Sequence, residues 1–132
     1  MMKKWKRFAE ANNYFNKKIV AMRKMMLAGL PVVEFNGDSQ GREANDFVHG
    51  LNIAIDILFI DGDHSYTGVK NDFNNHLEFV KGGGYIIFHD IVSFPDVGRF
   101  VEELKQSKMV QFVAEYKNNG ESVCGLALFK KL

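Results

Sequence analysis

The chain has 132 residues, 46% of them hydrophobic and 25% charged, with a formal net charge of +1; this is the size and balance of one globular domain and excludes a disordered tail or a repeat array. No apolar run approaches the roughly 18 residues of a membrane helix, and the basic N-terminus leads into Ala9 to Asn13 rather than an apolar stretch, so a soluble cytoplasmic protein is expected. The single Cys124 excludes an internal disulfide and a multi-thiolate site, which leaves oxygen and imidazole as the expected metal donors.

Residues 1–25 carry eight Lys/Arg against Glu10 alone, so the rest of the chain is net negative. Phe15, Ile19, Met22 and Met26 recur at helical spacing. A basic helical segment over residues 1–29 is therefore expected, docked by its apolar stripe with a solvated Lys/Arg face, in preference to a nucleic-acid contact. Gly29 and Pro31 end it. Val32 to Phe35 then reads as a short strand closed by Gly37-Asp38-Ser39, and Ala44, Phe47, Val48 and Leu51 mark a short amphipathic helix. The run Ile53 to Ile60 has the apolar character of a parallel strand covered on both faces. It stops at Asp61-Gly62-Asp63-His64. Val69, Phe73, Leu77 and Val80 step along a helix that the glycines of Lys81 to Gly84 would cap, and Tyr85 to Phe88 forms the next strand, ending at His89-Asp90. Pro95 opens a helix with Val97, Phe100, Val101 and Leu104 inward. Val110 to Tyr116 and Val123 to Phe129 flank the turn-forming Asn118-Asn119-Gly120 as an antiparallel hairpin. The spacing predicts a single α/β domain over residues 1–132 containing one right-handed βαβ unit from Ile53 to Asp90.

Ligands of open α/β sheets bind beyond the carboxyl ends of the strands. Three polar clusters lie at such ends: Asp38-Ser39, Asp61 to His64, and His89-Asp90. Asp61 and Asp90, on neighbouring strands roughly 5 Å apart, repel one another unless a hard cation such as Mg²⁺ sits between them. His64, three residues after Asp61, is a candidate general base, because imidazole exchanges protons near neutral pH. Plainer roles compete with each assignment: Asp caps helices and starts turns, and His64 suits an exposed helix start. His49 and His76 read as surface or boundary residues, and Cys124 as a small buried hydrophobe. Lys81 to Gly84 joins a helix to a strand, the wrong order for a phosphate loop.

The string Ile55 to Tyr66 (IDILFIDGDHSY) with Gly68, Val69 and Asp72, followed by Gly82 to Ile91 (GGGYIIFHDI), resembles class I S-adenosylmethionine-dependent methyltransferases. The similarity is to the bacterial subgroup whose fourth and fifth strands end in FIDGDH and FHD, and it runs over about residues 32–129. It implies a three-layer Rossmann-like sheet and methyl transfer from S-adenosylmethionine to a hydroxyl of a small-molecule acceptor with Mg²⁺ assistance. Carried over by position, Asp38 with Ser39 beside it would contact the adenine, Asp61, His89 and Asp90 would hold the metal, and His64 would be the base. The family's first strand, glycine-rich loop and second strand have no counterpart, since no glycine precedes Gly29. The sheet should then lack its first two strands and leave Ile53 to Ile60 with a bare edge. Val32 to Phe35, the N-terminal helix, a second copy or a partner chain would have to cover that edge. Two other classes stay open: a non-catalytic interaction module or half of a split enzyme, and a glycosyltransferase or haloacid-dehalogenase-type phosphatase using Asp61-Gly62-Asp63 as its DxD. The short chain counts against the glycosyltransferase, and the motif's position and Ser65 count against the phosphatase. Neither nucleic acid nor membrane is expected as a partner.

Overall fold

The computed structural model describes residues 19–117 and 124–132, which fall into two units divided after Glu34. In the first, residues 19–27 form helix α1, and Arg23 reaches Glu34 at 2.8 Å. Ile19, Met22 and Met26 are exposed rather than buried as the stripe predicts; Phe15 and the Asn118-Asn119-Gly120 turn lie outside the described residues. Val32 to Phe35 is not a strand. These residues have strand-like side chains but no ladder partner among the described residues, and Val33 is 65% exposed.

The second unit runs in the order α2 (Arg42–Gly50), β1 (Ile55–Ile60), α3 (Tyr66–His76), β2 (Val80–His89), α4 (Pro95–Leu104), β3 (Val110–Tyr116) and β4 (Leu126–Lys131). Its four strands lie in the order β1-β2-β4-β3. β1 and β2 pair in parallel, with Ile60 opposite Phe88, so their carboxyl ends meet as the βαβ spacing predicts. β4 pairs antiparallel with both β2 and β3. Without Val32 to Phe35, β1 is an edge strand of this sheet instead of an interior one.

The starts of α3 and α4 follow from their residues. Ser65 caps α3 by accepting from Gly68 N at 3.0 Å. Pro95 opens α4 in the first turn, where its missing N–H costs nothing. Val69 and Phe73 of α3 and Val97, Phe100, Val101 and Leu104 of α4 are buried on one sheet face against Ile60, Ile86, Phe88, Ala127 and Phe129. Four phenylalanines knit this core. The Phe88 ring lies 6.0, 5.9 and 5.8 Å from Phe73, Phe100 and Phe129, tilted or edge-on geometries that contribute ~0.5–1.5 kcal/mol per pair beyond burial. On the opposite face Ile57, Phe59, Tyr85 and Leu126 are exposed. Among the described residues of this unit, α3 and α4 thus cover one face of the sheet.

The glycine run also departs from expectation. α3 ends at His76, Leu77–Phe79 is a 3-10 turn, and β2 begins at Val80. Ile55 pairs with Val80 but Ile57 with Tyr85, so Lys81 to Gly84 bulge out of the ladder. Only glycine fits at 84, where a Cβ would stand 2.9 Å from the Lys81 carbonyl oxygen and 3.1 Å from that of Asp56. Lys131 steadies the same corner, donating to the carbonyls of Leu77 and Val80 at 2.9 and 2.7 Å.

Candidate active site

The residues after β1 and β2 form one rim. His89 Nδ1 stands 3.3 Å from Asp61 Oδ1 and 3.3 Å from Asp90 Oδ1. His64 Nε2 lies 3.1 Å from Asp90 Oδ2 and 3.6 Å from Asp61 Oδ1. Asp61, His64 and Asp90 each offer a ligand atom within 4.8 Å of the others. All four residues expected at these strand ends thus lie together.

Two local features aim them. Asp90 has φ +60°, a left-handed conformation that Asp tolerates better than most residues but that still carries strain. It swings the chain out of β2 into a turn whose return is fixed by Phe94 N donating to the Asp90 carbonyl oxygen at 3.2 Å. Phe94 then stacks on His64 with centroids 3.9 Å apart and planes 4° from parallel, which holds the imidazole in one orientation.

The orphaned atoms are informative. Both His64 Nε2 and His89 Nδ1 are buried, and neither makes a hydrogen bond. Each stands 3.1–3.3 Å from a carboxylate oxygen without the alignment of a hydrogen bond; buried polar atoms without one are rare enough to demand a reason, and two ring nitrogens turned toward two carboxylates form a donor set that fits a divalent cation. By this test the rim suits a metal.

Asp63 does something else. Its Oδ1 accepts from Ser65 N at 2.8 Å and its Oδ2 from Gln40 Nε2 at 3.3 Å. The Ser65 backbone bond, helped by the Ser65 hydroxyl and Gln40, holds this carboxyl below its usual range. Gly68 makes room, since a Cβ there would fall 2.2 Å from Asp63 Cγ. Asp61 thus faces His64 and His89, while Asp63 is held by Ser65 and Gln40.

Asp38 and Ser39 do not follow a strand, and neither bonds to the four residues of the rim. The Asp38 carboxylate accepts from Gln40 N at 2.9 Å in a local turn. Ser39 Oγ donates to Asp72 Oδ1 at 2.7 Å. Ser39 also lines a cleft of about 280 Å³ with Leu58, Phe59, Asp61, Asp72 and His76. His76 Nδ1 sits 2.9 Å from the Asp72 carbonyl oxygen.

Sequence reasoning missed Asp72, Phe94 and Cys124. Asp72 is 6% exposed and lies beside Val69 and Phe73 on the inward stripe of α3; a carboxylate at a core position was the available signal. Cys124 stands with His89 and Asp90, their ligand atoms within 4.8 Å of one another, so sulfur joins oxygen and imidazole as a donor type at the rim.

The family of proteins described as "Methyltransferase domain" matches residues 7–91. An uncharacterised protein of Acanthamoeba polyphaga mimivirus is 40% identical over 85 residues, covering 55% of this chain and 38% of the viral protein. A putative O-methyltransferase from Klebsiella pneumoniae superposes with a TM-score of 0.52 at 18% identity, over 67% of this chain and 46% of that one. The O-methyltransferase TomG from Streptomyces achromogenes, involved in tomaymycin synthesis and solved with SAM, gives 0.51 at 18% identity over 67% and 46%. An O-methyltransferase from Bacillus cereus in complex with SAH gives 0.50 at 18% identity over 67% and 47%. The chain spans less than half the length of each of these proteins. At such identity the structures establish the Rossmann-like methyltransferase fold, while the match over residues 7–91 takes in both strand-end motifs through His89 and Asp90. This chain belongs to the methyltransferase-domain family.

Proposed function

We propose that this chain supplies the metal and acceptor side of an S-adenosylmethionine-dependent O-methyltransferase. Asp61, His89 and Asp90 hold a divalent cation, taken first as Mg²⁺, and His64 is the base. The observation that carries the reading is the convergence of these four side chains at two adjacent strand ends, with two buried ring nitrogens lacking any hydrogen bond. A cation bound there lowers the pKa of an acceptor hydroxyl. His64 Nε2 takes that proton while the Phe94 stack keeps the ring from turning away. The cleft beside Asp61 receives the small-molecule acceptor or the cofactor's adenine, with Ser39 in its wall and Asp38 next to it.

The glycine-rich loop that grips S-adenosylmethionine in the family is not in this sequence, so the chain by itself binds the cofactor weakly or not at all. Calorimetric titration with S-adenosylmethionine, S-adenosylhomocysteine and divalent cations tests both halves of the reading. Cation binding lost at least tenfold in Asp61→Asn and in Asp90→Asn is expected. Unchanged binding in both variants would remove the metal, and micromolar S-adenosylmethionine binding by a monomeric chain would make it self-sufficient.

A second reading, half of a split enzyme or an interaction module, is favoured by the bare edge of β1 and the exposed Ile57 and Phe59. A second copy or a partner chain covers them in this reading. Concentration-dependent association in sedimentation, reduced by Phe59→Glu, is its expected mark.

A further inference from the structure

We infer that Cys124 is a ligand at this rim and that the cation it selects is a borderline, thiolate-accepting one of the Zn²⁺ or Co²⁺ kind in place of Mg²⁺. The inference rests on the reading of Asp61, His89 and Asp90 as metal-holding residues, and it goes further by naming a donor outside that set and the class of ion it takes.

Three constraints place the sulfur there. Val92 N donates to the Cys124 carbonyl oxygen at 3.0 Å, tying the approach to β4 onto the turn that follows Asp90. Gly125, at φ +84°, permits that closeness: a Cβ would lie 2.8 Å from Val92 Cγ2 and 3.0 Å from Ile91 Cγ1. In the β2–β4 ladder His89 pairs with Leu126, so Cys124, two residues earlier, carries the strand direction past the His89 end of β2. The result is a free, half-buried thiol whose Sγ lies within 4.8 Å of ligand atoms of both His89 and Asp90.

The donor chemistry then decides the ion. Mg²⁺ asks for near-octahedral oxygen ligands and keeps several waters; an imidazole nitrogen and a sulfur beside one carboxylate suit it poorly. Imidazole, thiolate and carboxylate together are the ligands of Zn²⁺ and its neighbours. Bonds of ~2.0–2.3 Å in a tetrahedron hold donor atoms roughly 3.3–3.8 Å apart. The His89 Nδ1 to Asp90 Oδ1 separation of 3.3 Å already meets that spacing, and the fourth position is left to water or substrate. On binding, the thiol proton leaves to solvent and the thiolate bonds to the ion.

The test is a Co²⁺ titration of the full chain after chelator treatment, followed by absorption. Wild type is expected to develop a thiolate-to-cobalt charge-transfer band with visible bands of a tetrahedral ion, displaced by one equivalent of Zn²⁺ and not by excess Mg²⁺. Cys124→Ser, its fold checked by circular dichroism, should lose the charge-transfer band and bind Co²⁺ at least tenfold more weakly. X-ray absorption of the Zn²⁺-loaded wild type should show one sulfur in the first shell and needs no variant to fold. A cation that binds through Asp90, shown by loss in Asp90→Asn, without a sulfur signal would overturn the Cys124 assignment alone. Absence of binding by Mg²⁺, Co²⁺ and Zn²⁺ alike would overturn the metal reading beneath it.

Discussion

The two faces of the sheet are made from the same kinds of side chain and meet different fates. Along β1 and β2, Ile60, Ile86 and Phe88 are at most 7% exposed, whereas Ile57, Phe59 and Tyr85, one residue out of phase, are 39–57% exposed. In a strand the period of two separates these sets completely. Helices α3 and α4 occupy the first face, and their own apolar stripes supply its packing. The stability of this unit therefore resides in one face, while the other leaves its apolar side chains exposed.

Truncation sharpens this difference most. Phe88→Ala should cost ~3–5 kcal/mol through lost burial and a residual cavity, and Ile57→Ala within about 0.5 kcal/mol, as at an exposed site. Paired denaturant midpoints measure both, and equal losses would show that the open face is covered. Next comes Asp72, on the covered side but reached from the cleft: Ser39→Ala removes its 2.7 Å donor and should cost ~1–3 kcal/mol as a buried carboxylate loses its partner. Gly68→Ala should destabilise by a similar ~1–2 kcal/mol, because the new methyl meets Asp63. Glycine to alanine inside a helix ordinarily gains ~0.5–1 kcal/mol, so the sign of this change reports whether Asp63 is seated on α3, and a thermal melt reads it.

The smallest effect carries a pH signature. Lys105 bonds Glu115 at 2.8 Å, and with Lys117 it holds the Glu115 carboxyl below its usual range. A carboxyl lowered on folding stabilises the protein above its unfolded pKa, and the contribution fades as pH falls through the folded value. Glu115→Gln should therefore lose ~0.2–1 kcal/mol at neutral pH and nothing once the medium is acid enough to protonate Glu115 in the native state. A loss that persists in acid would mean packing rather than charge.

What could be read from residues alone follows from range. Ile53 to Asp90 was legible because the helix and its flanking strands are neighbours in sequence, and because polar residues closing two apolar runs must meet when those strands pair. That logic placed Asp61, His64, His89 and Asp90 at one rim. Val32 to Phe35 misled for the opposite reason: β-branched character describes a residue, whereas a strand needs a partner that local propensity does not specify. Val80 fell at helical spacing after Leu77, yet the glycines beyond it allowed a bulge that pulled it into β2. Cys124 became visible only through the β2–β4 ladder, which spans more than thirty residues of chain; until that pairing is known, a lone cysteine in a strand looks like packing.

Because β4 lies between β2 and β3, the strand that joins the two halves of this sheet is made after both of its neighbours. During synthesis β3 emerges with nowhere to pair, and β2 waits with one side of its ladder unsatisfied. A polypeptide stalled before Leu126 would present two sticky strands at once, a state open to misassembly. Completion of β4 closes both ladders together and, in the same movement, carries Cys124 to the rim.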